Sequence, residues 1–206
     1  MYVIGMTGRS GSGKTLVAEV FREAGIPVFD ADRVYHTLVD APSPCTRALA
    51  AELGEEVLTP DGALNRPYVA SLVFGTDEGA RAMRARLNLI SHRFVSEAFC
   101  DWCKKMEEAG HSSVLLDAPT LFEAGMHLAC DTVIGVIAPP ESAVERIVSR
   151  DGITREAARN RLASQVSEEE LRGGCEYILY NGGTREDAVR QANQIMNELK
   201  KRGMIQ

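Results

Sequence analysis

The 206-residue sequence predicts an α/β fold with three layers, in which helices cover both faces of a parallel sheet. A β-rich run at residues 2–7 leads through a Gly/Ser-rich turn into a helical run at Lys14–Glu23. Two later runs, Ser113–Asp117 and Thr132–Ala138, are apolar throughout instead of alternating with polar residues. Continuous apolar strands are typical of a sheet that is buried on both faces.

Five segments have the composition of short strands, and they lie at residues 2–7, 26–29, 113–117, 132–138 and 176–180. Between the second and third of them, residues 33–110 are mostly helical in pattern, and Arg81–Glu108 has the periodicity of one long helix. Turn-forming residues predict breaks in this stretch at 41–44, 59–62 and 75–77. An insertion of this length between strands predicts a helical lobe beside the sheet.

Two further helical segments follow the fourth and fifth strands. Glu141–Gly173 is rich in arginine, and Thr184–Arg202 is amphipathic, with Thr184 and Asp187 spaced as a variant of the capping box. The chain is therefore predicted to be a single domain over residues 1–206. Its parts are a core at 1–32 and 111–206, an inserted lobe at 33–110 and an arginine-rich lid at about 141–173.

Composition and charge exclude several classes of protein. Hydrophobic residues make up 45% and charged residues 25% of the chain, which is typical of a folded enzyme and not of a disordered protein. The formal net charge of −6 disfavours a general nucleic-acid-binding or membrane-surface role. The N-terminus lacks signal-peptide regions, and five cysteines show no disulfide framework. We expect a cytoplasmic protein that binds neither nucleic acid nor membranes.

The strongest motif is Gly8-Arg9-Ser10-Gly11-Ser12-Gly13-Lys14-Thr15, which matches G-x-x-x-x-G-K-[ST] between a strand and a helix. Glycines let the backbone curl so that several N–H groups face one polyphosphate, and the following helix adds its positive N-terminal end. The motif therefore predicts a P-loop NTPase fold that binds ATP and Mg²⁺. The residues predicted to bind ATP here are Gly8, Ser10, Gly11, Ser12, Gly13, Lys14 and Thr15, with Thr15 also a metal ligand.

Two acidic segments follow predicted strands at the edge that the P-loop marks. In Asp30-Ala31-Asp32, extended spacing would put both carboxylates on one side of the chain, where one can take a proton from an attacking hydroxyl. The alternative is an acid that caps a helix or turn, and Asp32 can fill both roles. Asp117 ends an apolar strand as a Walker-B-like acid does, to hold Mg²⁺ or orient Lys14. A plain strand-terminal turn residue remains the alternative there.

Arginines are concentrated in the lid segment. Arg146 and Arg150 are four residues apart and share a helix face, and Arg155, Arg159, Arg161 and Arg172 follow. Such a cluster can close over ATP and neutralise charge on the transferring group. The alternative is a solvated helix with Glu/Arg pairs. The chain has no guanine-specificity motif and no nucleophile elbow, and Cys100 and Cys103 fall in a mid-helical pattern that is unlike a zinc or redox site.

Eight segments carry a family resemblance when they are taken in order. They are 5–15, 29–32, 64–66, 87–92, 117–123, 146–151, 161–165 and 181–182. They resemble the motifs G-L-T-G-G-I-G-S-G-K-S, D-A-D, L-N-R, L-N-x-I-x-H-P, D-x-P-L-L-F-E, R-x-x-x-R-D, R-x-x-x-Q and N-x-G of the dephospho-CoA kinase family. The chain departs from those motifs at Arg9 and Ser10, where a small and an apolar residue are usual. It also departs at Arg93, where proline is usual, and at Thr120, where leucine is usual.

The resemblance implies roles for individual residues. Asp32 would be the base that takes the proton of the 3′-hydroxyl, and the 33–110 lobe would bind the CoA portion of the acceptor. Asn181 would lie by the adenine. Residues implied to bind dephospho-CoA are Arg66, Asn88, His92 and Asp117, and residues implied to act on ATP in catalysis are Lys14, Arg146 and Arg150.

The function that follows from the resemblance is transfer of the γ-phosphoryl group of ATP to the ribose 3′-hydroxyl of dephospho-CoA, the last step of coenzyme A biosynthesis. Mg²⁺ would be the metal, and the protein would be a monomer or a weak homo-oligomer. Two alternatives stay open. The chain can be another P-loop kinase that acts on a nucleotide or a sugar, or a nucleotide-binding module or regulatory ATPase without a small-molecule acceptor.

Overall fold

The sheet is the centre of the fold, in a computed structural model that describes residues 1–75 and 77–205. Its five strands are all parallel, in the order β2-β3-β1-β4-β5. The strands are β1 Tyr2–Thr7, β2 Val28–Asp30, β3 Ser113–Asp117, β4 Thr132–Ile137 and β5 Tyr177–Tyr180. The predicted α/β class and the five parallel strands are confirmed. Only the ends of β2, β4 and β5 differ from the sequence prediction, by one or two residues.

Helices account for most of the remaining chain. They are α1 Lys14–Glu23, α2 Ala31–Val39, α3 Pro44–Leu53, α4 Arg66–Val73, α5 Glu78–Glu108, α6 Pro140–Asp151, α7 Arg155–Ala163, α8 Glu168–Gly174 and α9 Arg185–Lys201, with short 3₁₀ turns at Glu55–Val57 and Met126–Ala129. The predicted capping box of Thr184 with Asp187 is confirmed at the start of α9. The predicted break at 75–77 includes Thr76, which lies outside the described residues.

The arginine-rich segment is helical, as predicted, and consists of the three helices α6, α7 and α8. Gly152 adopts a left-handed conformation at φ 66° and ends α6. Thr154 caps α7 by accepting a hydrogen bond from the backbone of Ala157, and Ser167 caps α8 in the same way from Glu170. The helical pattern of the sequence does not show these two helix starts, because serine and threonine also occur inside helices.

The strand order places β2 and β3 on one side of β1 and β4 and β5 on the other, so the direction of the connections across the sheet reverses next to β1. In parallel α/β sheets, ligands bind in the crevice at the carboxyl ends of the strands on either side of such a switch point. The segment that follows β1 is the Gly-rich loop. The topology therefore puts this loop where the fold class binds its ligands.

The two faces of the sheet have different cores. Ile4 and Met6 point to one face, where they pack in one buried cluster with residues of α1 and α9 such as Phe21 and Leu199. Between them along the strand, Gly5 faces the other side. A Cβ at Gly5 would lie 2.7 Å from the Sγ of Cys130, and a Cβ at Gly135 would lie 2.9 Å from the Sγ of Cys175. These glycines therefore make room for two thiols under the sheet.

Those two thiols are expected to be unreactive. Burial raises the pKa of Cys130 to about 12 and that of Cys175 to about 11, whereas Cys100 is exposed on α5. Because the thiolate is the reactive form, iodoacetamide at pH 8 should alkylate Cys100 at least about tenfold faster than Cys130 or Cys175. Mass spectrometry of the native protein over time measures the rates. Equal alkylation rates of the three thiols in the native protein would contradict this account of the buried face. As a control, the three thiols should be alkylated at equal rates in the urea-unfolded protein.

Residues Ala31–Trp102 form a compact unit of their own, and Met1–Asp30 with Cys103–Gln206 form the other. The first unit contains α2, α3, α4 and most of α5, around a core that includes Val39, Leu49 and Val57. Cys100 and Cys103 lie inside α5, as the mid-helical pattern predicted. Over the described ranges, the helices lack the combination of length and apolar character needed to cross a bilayer.

One local prediction is wrong. Asp30 is the last residue of β2, but Asp32 lies in the first turn of α2, because that helix begins at Ala31 directly after the strand. The two carboxylates are therefore not in the extended arrangement expected from their spacing. An acid in the first turn of a helix is stabilised by the helix dipole, which gives Asp32 a structural role in addition to any chemical one.

Candidate active site

The Gly-rich loop between β1 and α1 needs glycine at three positions. Gly11 and Gly13 have φ angles of 74° and 91°, in the left-handed region that side chains disfavour. A Cβ at Gly8 would lie 2.4 Å from the carbonyl oxygen of Val136. The turn is closed by a hydrogen bond of 3.1 Å from the Ser12 N–H to the Arg9 carbonyl. A loop with glycines in the left-handed region can direct its remaining N–H groups toward one concavity, which is the geometry that a polyphosphate requires.

The start of α1 supplies positive charge to the same loop. Lys14 is the first residue of this helix, and its Nζ donates a hydrogen bond of 3.1 Å to the Gly8 carbonyl, so the ammonium group arches back over the loop. The first turn of α1 contains no acidic residue that would neutralise the helix dipole. Thr15 follows with an exposed side chain. These groups fit the phosphates of ATP and a Mg²⁺ ion bound beside them.

Asp117 lies at the same edge of the sheet. The strand register aligns it with Met6 on one side, just before the Gly-rich loop, and with Asp30 on the other. The backbone is fixed there, since Ala118 donates to the Met6 carbonyl at 3.0 Å and Thr7 donates through its hydroxyl to Pro119. Register alone therefore places a carboxylate, the kind of group that hard cations prefer, one strand away from β1.

Arg146 and Asn181 hold the loop from its carbonyl side. Arg146 on α6 donates to the carbonyls of Gly11 at 3.1 Å and Ser12 at 3.3 Å, and to that of Asn181 at 3.3 Å. Asn181 is only 5% exposed and donates through Nδ2 to the Ser12 carbonyl at 2.8 Å. The sequence singled out both residues for ATP. Those roles stay predictions, and the structure shows that both residues donate hydrogen bonds to carbonyls of the loop.

The other arginines of the lid pair with acids of the lid. Arg150 donates two hydrogen bonds to Asp151, at 2.7 and 3.0 Å, and Arg161 contacts the same carboxylate. These contacts hold the pKa of Asp151 at about 2, below its usual 3.8. Arg155 and Arg159 pair with Glu141 and Glu145, which are exposed residues of α6. The segment predicted to be a lid is therefore crossed by internal ion pairs.

Two contacts of the loop were not found from sequence. The Arg9 guanidinium donates to the carbonyl of Leu162 in α7, and the Ser10 N–H donates to the Gln165 side chain at 3.0 Å. The only sequence signals were the departures at Arg9 and Ser10 and the Arg161–Gln165 segment. No local pattern joins them, because 155 residues separate Ser10 from Gln165.

The unit Ala31–Trp102 contains the other predicted residues. Arg66 opens α4 and donates to Asp40 at 2.6 Å, and it lies 2.7 Å from the ring nitrogen of His36. Its hydrogen bond lowers the pKa of Asp40. Asn88 and His92 are one helical turn apart on α5, where Asn88 is exposed and His92 is half-buried. Asp32 is exposed on α2, the helix that also carries His36 and Asp40.

Gly13→Ala is expected to weaken ATP binding while the protein stays folded. A Cβ there would lie 2.1 Å from the Nδ2 of buried Asn181 and would displace the contact that holds Ser12. We expect ATP affinity, measured by calorimetry, to fall at least about tenfold, in addition to a strain of about 1–2 kcal/mol for a side chain at positive φ. Gly25→Ala is the matched control, with φ 84° and nothing within 4 Å. It should lose stability alone, and wild-type affinity in Gly13→Ala would contradict the account.

Comparison with known proteins shows the family of this chain. The sequence profile of dephospho-CoA kinases matches residues 2–187. Dephospho-CoA kinase of Syntrophotalea carbinolica is 35% identical over 199 residues, which are 97% of this chain and 92% of that protein. The enzyme of the same name from Anaeromyxobacter dehalogenans is 34% identical over 200 residues, which are 97% and 93% of the two chains.

A solved structure has the same fold as this chain. The dephospho-CoA kinase from Campylobacter jejuni superposes with a TM-score of 0.69 at 21% identity, over 98% of each chain. At this identity the similarity shows the fold alone, whereas the profile and the two relatives show the family. The P-loop, the acid that ends β3 and a family profile that spans most of the sequence together show that this chain belongs to the dephospho-CoA kinase family.

Proposed function

We propose that this protein transfers the γ-phosphoryl group of ATP to the ribose 3′-hydroxyl of dephospho-CoA. The observation that carries the proposal is a complete phosphate-binding loop at the switch point of the sheet, with Lys14 arched over it, in a chain of the dephospho-CoA kinase family. The family acts on a hydroxyl acceptor with ATP as co-substrate. A transfer of this kind depends mainly on positioning and on charge stabilisation, which are the properties that the loop provides.

The nucleotide end of the site would be built from the loop and its supports. The loop N–H groups other than those of Ser10 and Ser12, which donate within the protein, would bind the phosphates. Lys14 would add a positive charge at the β- and γ-phosphates. Thr15 and Asp117 would hold Mg²⁺, which when bound neutralises charge on the β- and γ-oxygens. Asn181 would lie by the adenine, a role consistent with its position directly after β5 and its bond to Ser12.

The acceptor end would be built from the unit Ala31–Trp102. Asp32 would accept the proton of the 3′-hydroxyl as the hydroxyl attacks, because a carboxylate in hydrogen-bonding reach of that proton is a competent general base. Arg66, Asn88 and His92 would bind dephospho-CoA. Arg66 already has one carboxylate partner, Asp40, which presents the guanidinium in a fixed orientation.

The lid would separate the reaction from water. Arg146 would act on ATP from its place under the loop, and Arg150 would turn from Asp151 toward the phosphates when the lid closes. Exclusion of water matters because an open site would transfer the phosphoryl group to water instead of the acceptor. In the cell we expect the enzyme in the cytoplasm, as a monomer or weak homo-oligomer.

One coupled assay of ADP release tests the proposal. The purified protein with ATP and Mg²⁺ should release ADP rapidly when dephospho-CoA is added and slowly without it. Nucleoside monophosphates and gluconate are the comparison acceptors, and each should give no more ADP than the blank. Faster turnover with one of them would favour a nucleotide or sugar kinase. ATP hydrolysis that dephospho-CoA leaves unchanged would favour a regulatory ATPase.

A further inference from the structure

Three polar contacts join the phosphate-binding loop to the end of α7. The Ser10 N–H donates to Oε1 of Gln165 at 3.0 Å, and Nε2 of Gln165 donates to the Ser10 hydroxyl at 3.3 Å. The Arg9 guanidinium donates to the Leu162 carbonyl. Gln165 therefore satisfies both the backbone and the side chain of one loop residue, which fixes the orientation of that residue more firmly than a single bond would.

The contact made by Arg9 fits the chemistry of a helix end. Leu162 lies in the last turn of α7, where the dipole is negative, and its carbonyl also accepts a hydrogen bond of 3.3 Å from the Gln165 N–H. The positive charge of a guanidinium at this place interacts favourably with the negative end of the helix dipole. A protein with a small residue at position 9 cannot make this contact, which therefore depends on the unusual Arg9 of this chain.

The end of α7 is also anchored by packing. Ala158 and Leu162 are buried with Ala143, Val144 and Ile147 of α6 in one apolar cluster. The space that remains between the loop and these helices is about 20 Å³, enough for one water molecule at most. A loosening of the polar contacts would therefore widen this space and admit more solvent next to the loop.

We propose that Gln165 is a positioning residue of the phosphate-binding loop. Together with Arg9 and Ser10 it forms a clasp, defined by the three contacts above, that holds the end of α7 on the loop and keeps water from bound ATP. The second half of this inference rests on the proposed kinase function, since it concerns the choice between acceptor and water. The first half concerns the protein alone.

The first test uses the free protein and needs no substrate. The measurement is hydrogen exchange of the peptide that covers 155–166, read by mass spectrometry. Exchange should become about tenfold faster when Gln165→Ala or Arg9→Met removes part of the clasp, because the exchange rate reports the free energy of local opening. Arg9→Lys keeps a donor and should restore much of the protection. Arg185→Met and Gln194→Ala on α9 are matched controls that should leave exchange unchanged. Wild-type exchange in both clasp variants would overturn the clasp.

The second test measures where the phosphoryl group goes. The ratio of ATP hydrolysis without acceptor to transfer onto dephospho-CoA should rise about tenfold in Gln165→Ala and Arg9→Met, because an open site admits water. A general loss of stability would lower both rates together and leave the ratio unchanged, which would overturn the role in water exclusion. If the wild-type protein transfers nothing to dephospho-CoA, the proposed function fails, and the exchange result still decides whether the clasp exists.

Discussion

Replacement of Lys14 by methionine should lower kcat for phosphoryl transfer by about 1,000-fold, the scale of losing one charge that stabilises the transition state. Methionine has nearly the length of lysine but no charge and no donor. The loop would lose the ammonium group that now bridges back to Gly8. The conformation of the loop should remain, because Arg146 and Asn181 hold its carbonyls from the other side. The measurement is steady-state ADP release with saturating ATP and dephospho-CoA.

Lys200→Met is the control, since Lys200 is an exposed lysine of α9 far along the chain from the loop. It should leave kcat within about twofold, as expected for an exposed surface substitution. The melting temperatures of both variants should stay close to wild type, which separates loss of chemistry from loss of fold. Activity in Lys14→Met within tenfold of wild type would mean that the phosphates are bound elsewhere, and the proposed site would be wrong.

Asp32→Asn should reduce kcat by about 100-fold or more while ATP affinity changes little, because loss of a general base typically costs 10²–10⁴ in rate. Asparagine preserves the shape of the side chain, and the lost charge at the start of α2 costs only about 0.3–1 kcal/mol, so the helix should remain. Only the ability to take the 3′-hydroxyl proton would be lost. Turnover at saturating substrates gives kcat, and calorimetry with ATP gives the affinity separately.

Asp61→Asn provides the matched change in the same unit, at an exposed turn residue outside the proposed acceptor site. Its turnover should equal that of wild type. A rise in turnover with pH that is seen in wild type and lost in Asp32→Asn would add support, since ionisation of the base would then be the cause. If Asp32→Asn binds both substrates and turns over at the wild-type rate, Asp32 is not the base, and its carboxylate serves only the end of the helix.

Much of the nucleotide site could be predicted because its parts are close in sequence. A Gly-rich loop after an apolar strand and before a helix carries both the backbone conformation and the phosphate chemistry within residues 2–23. The position of Asp117 could also be predicted, because an acid at the end of a parallel strand lies at the ligand-binding edge wherever that strand is in the sheet. Periodicity also located α5 and α9, which have long patterns.

Local patterns failed where two local structures compete. Asp30-Ala31-Asp32 suits an extended segment, but Asp32 is equally suited to the first turn of a helix, and the chain begins α2 at Ala31. The arginine-rich segment has helical periodicity throughout, yet Gly152 and the caps at Thr154 and Ser167 divide it. These choices depend on how each short helix packs, which no window of sequence reports.

The amino-acid sequence by itself determined the α/β class, the phosphate-binding loop and the family, because those depend on residues that are neighbours along the chain. Only the tertiary structure decided which groups hold that loop: Arg146 and Asn181 on its carbonyl side, and Gln165 on Ser10. Each of these partners comes from a different helix or strand end more than 130 residues away. Hydrogen bonds over such separations form only after the sheet and its helices have packed.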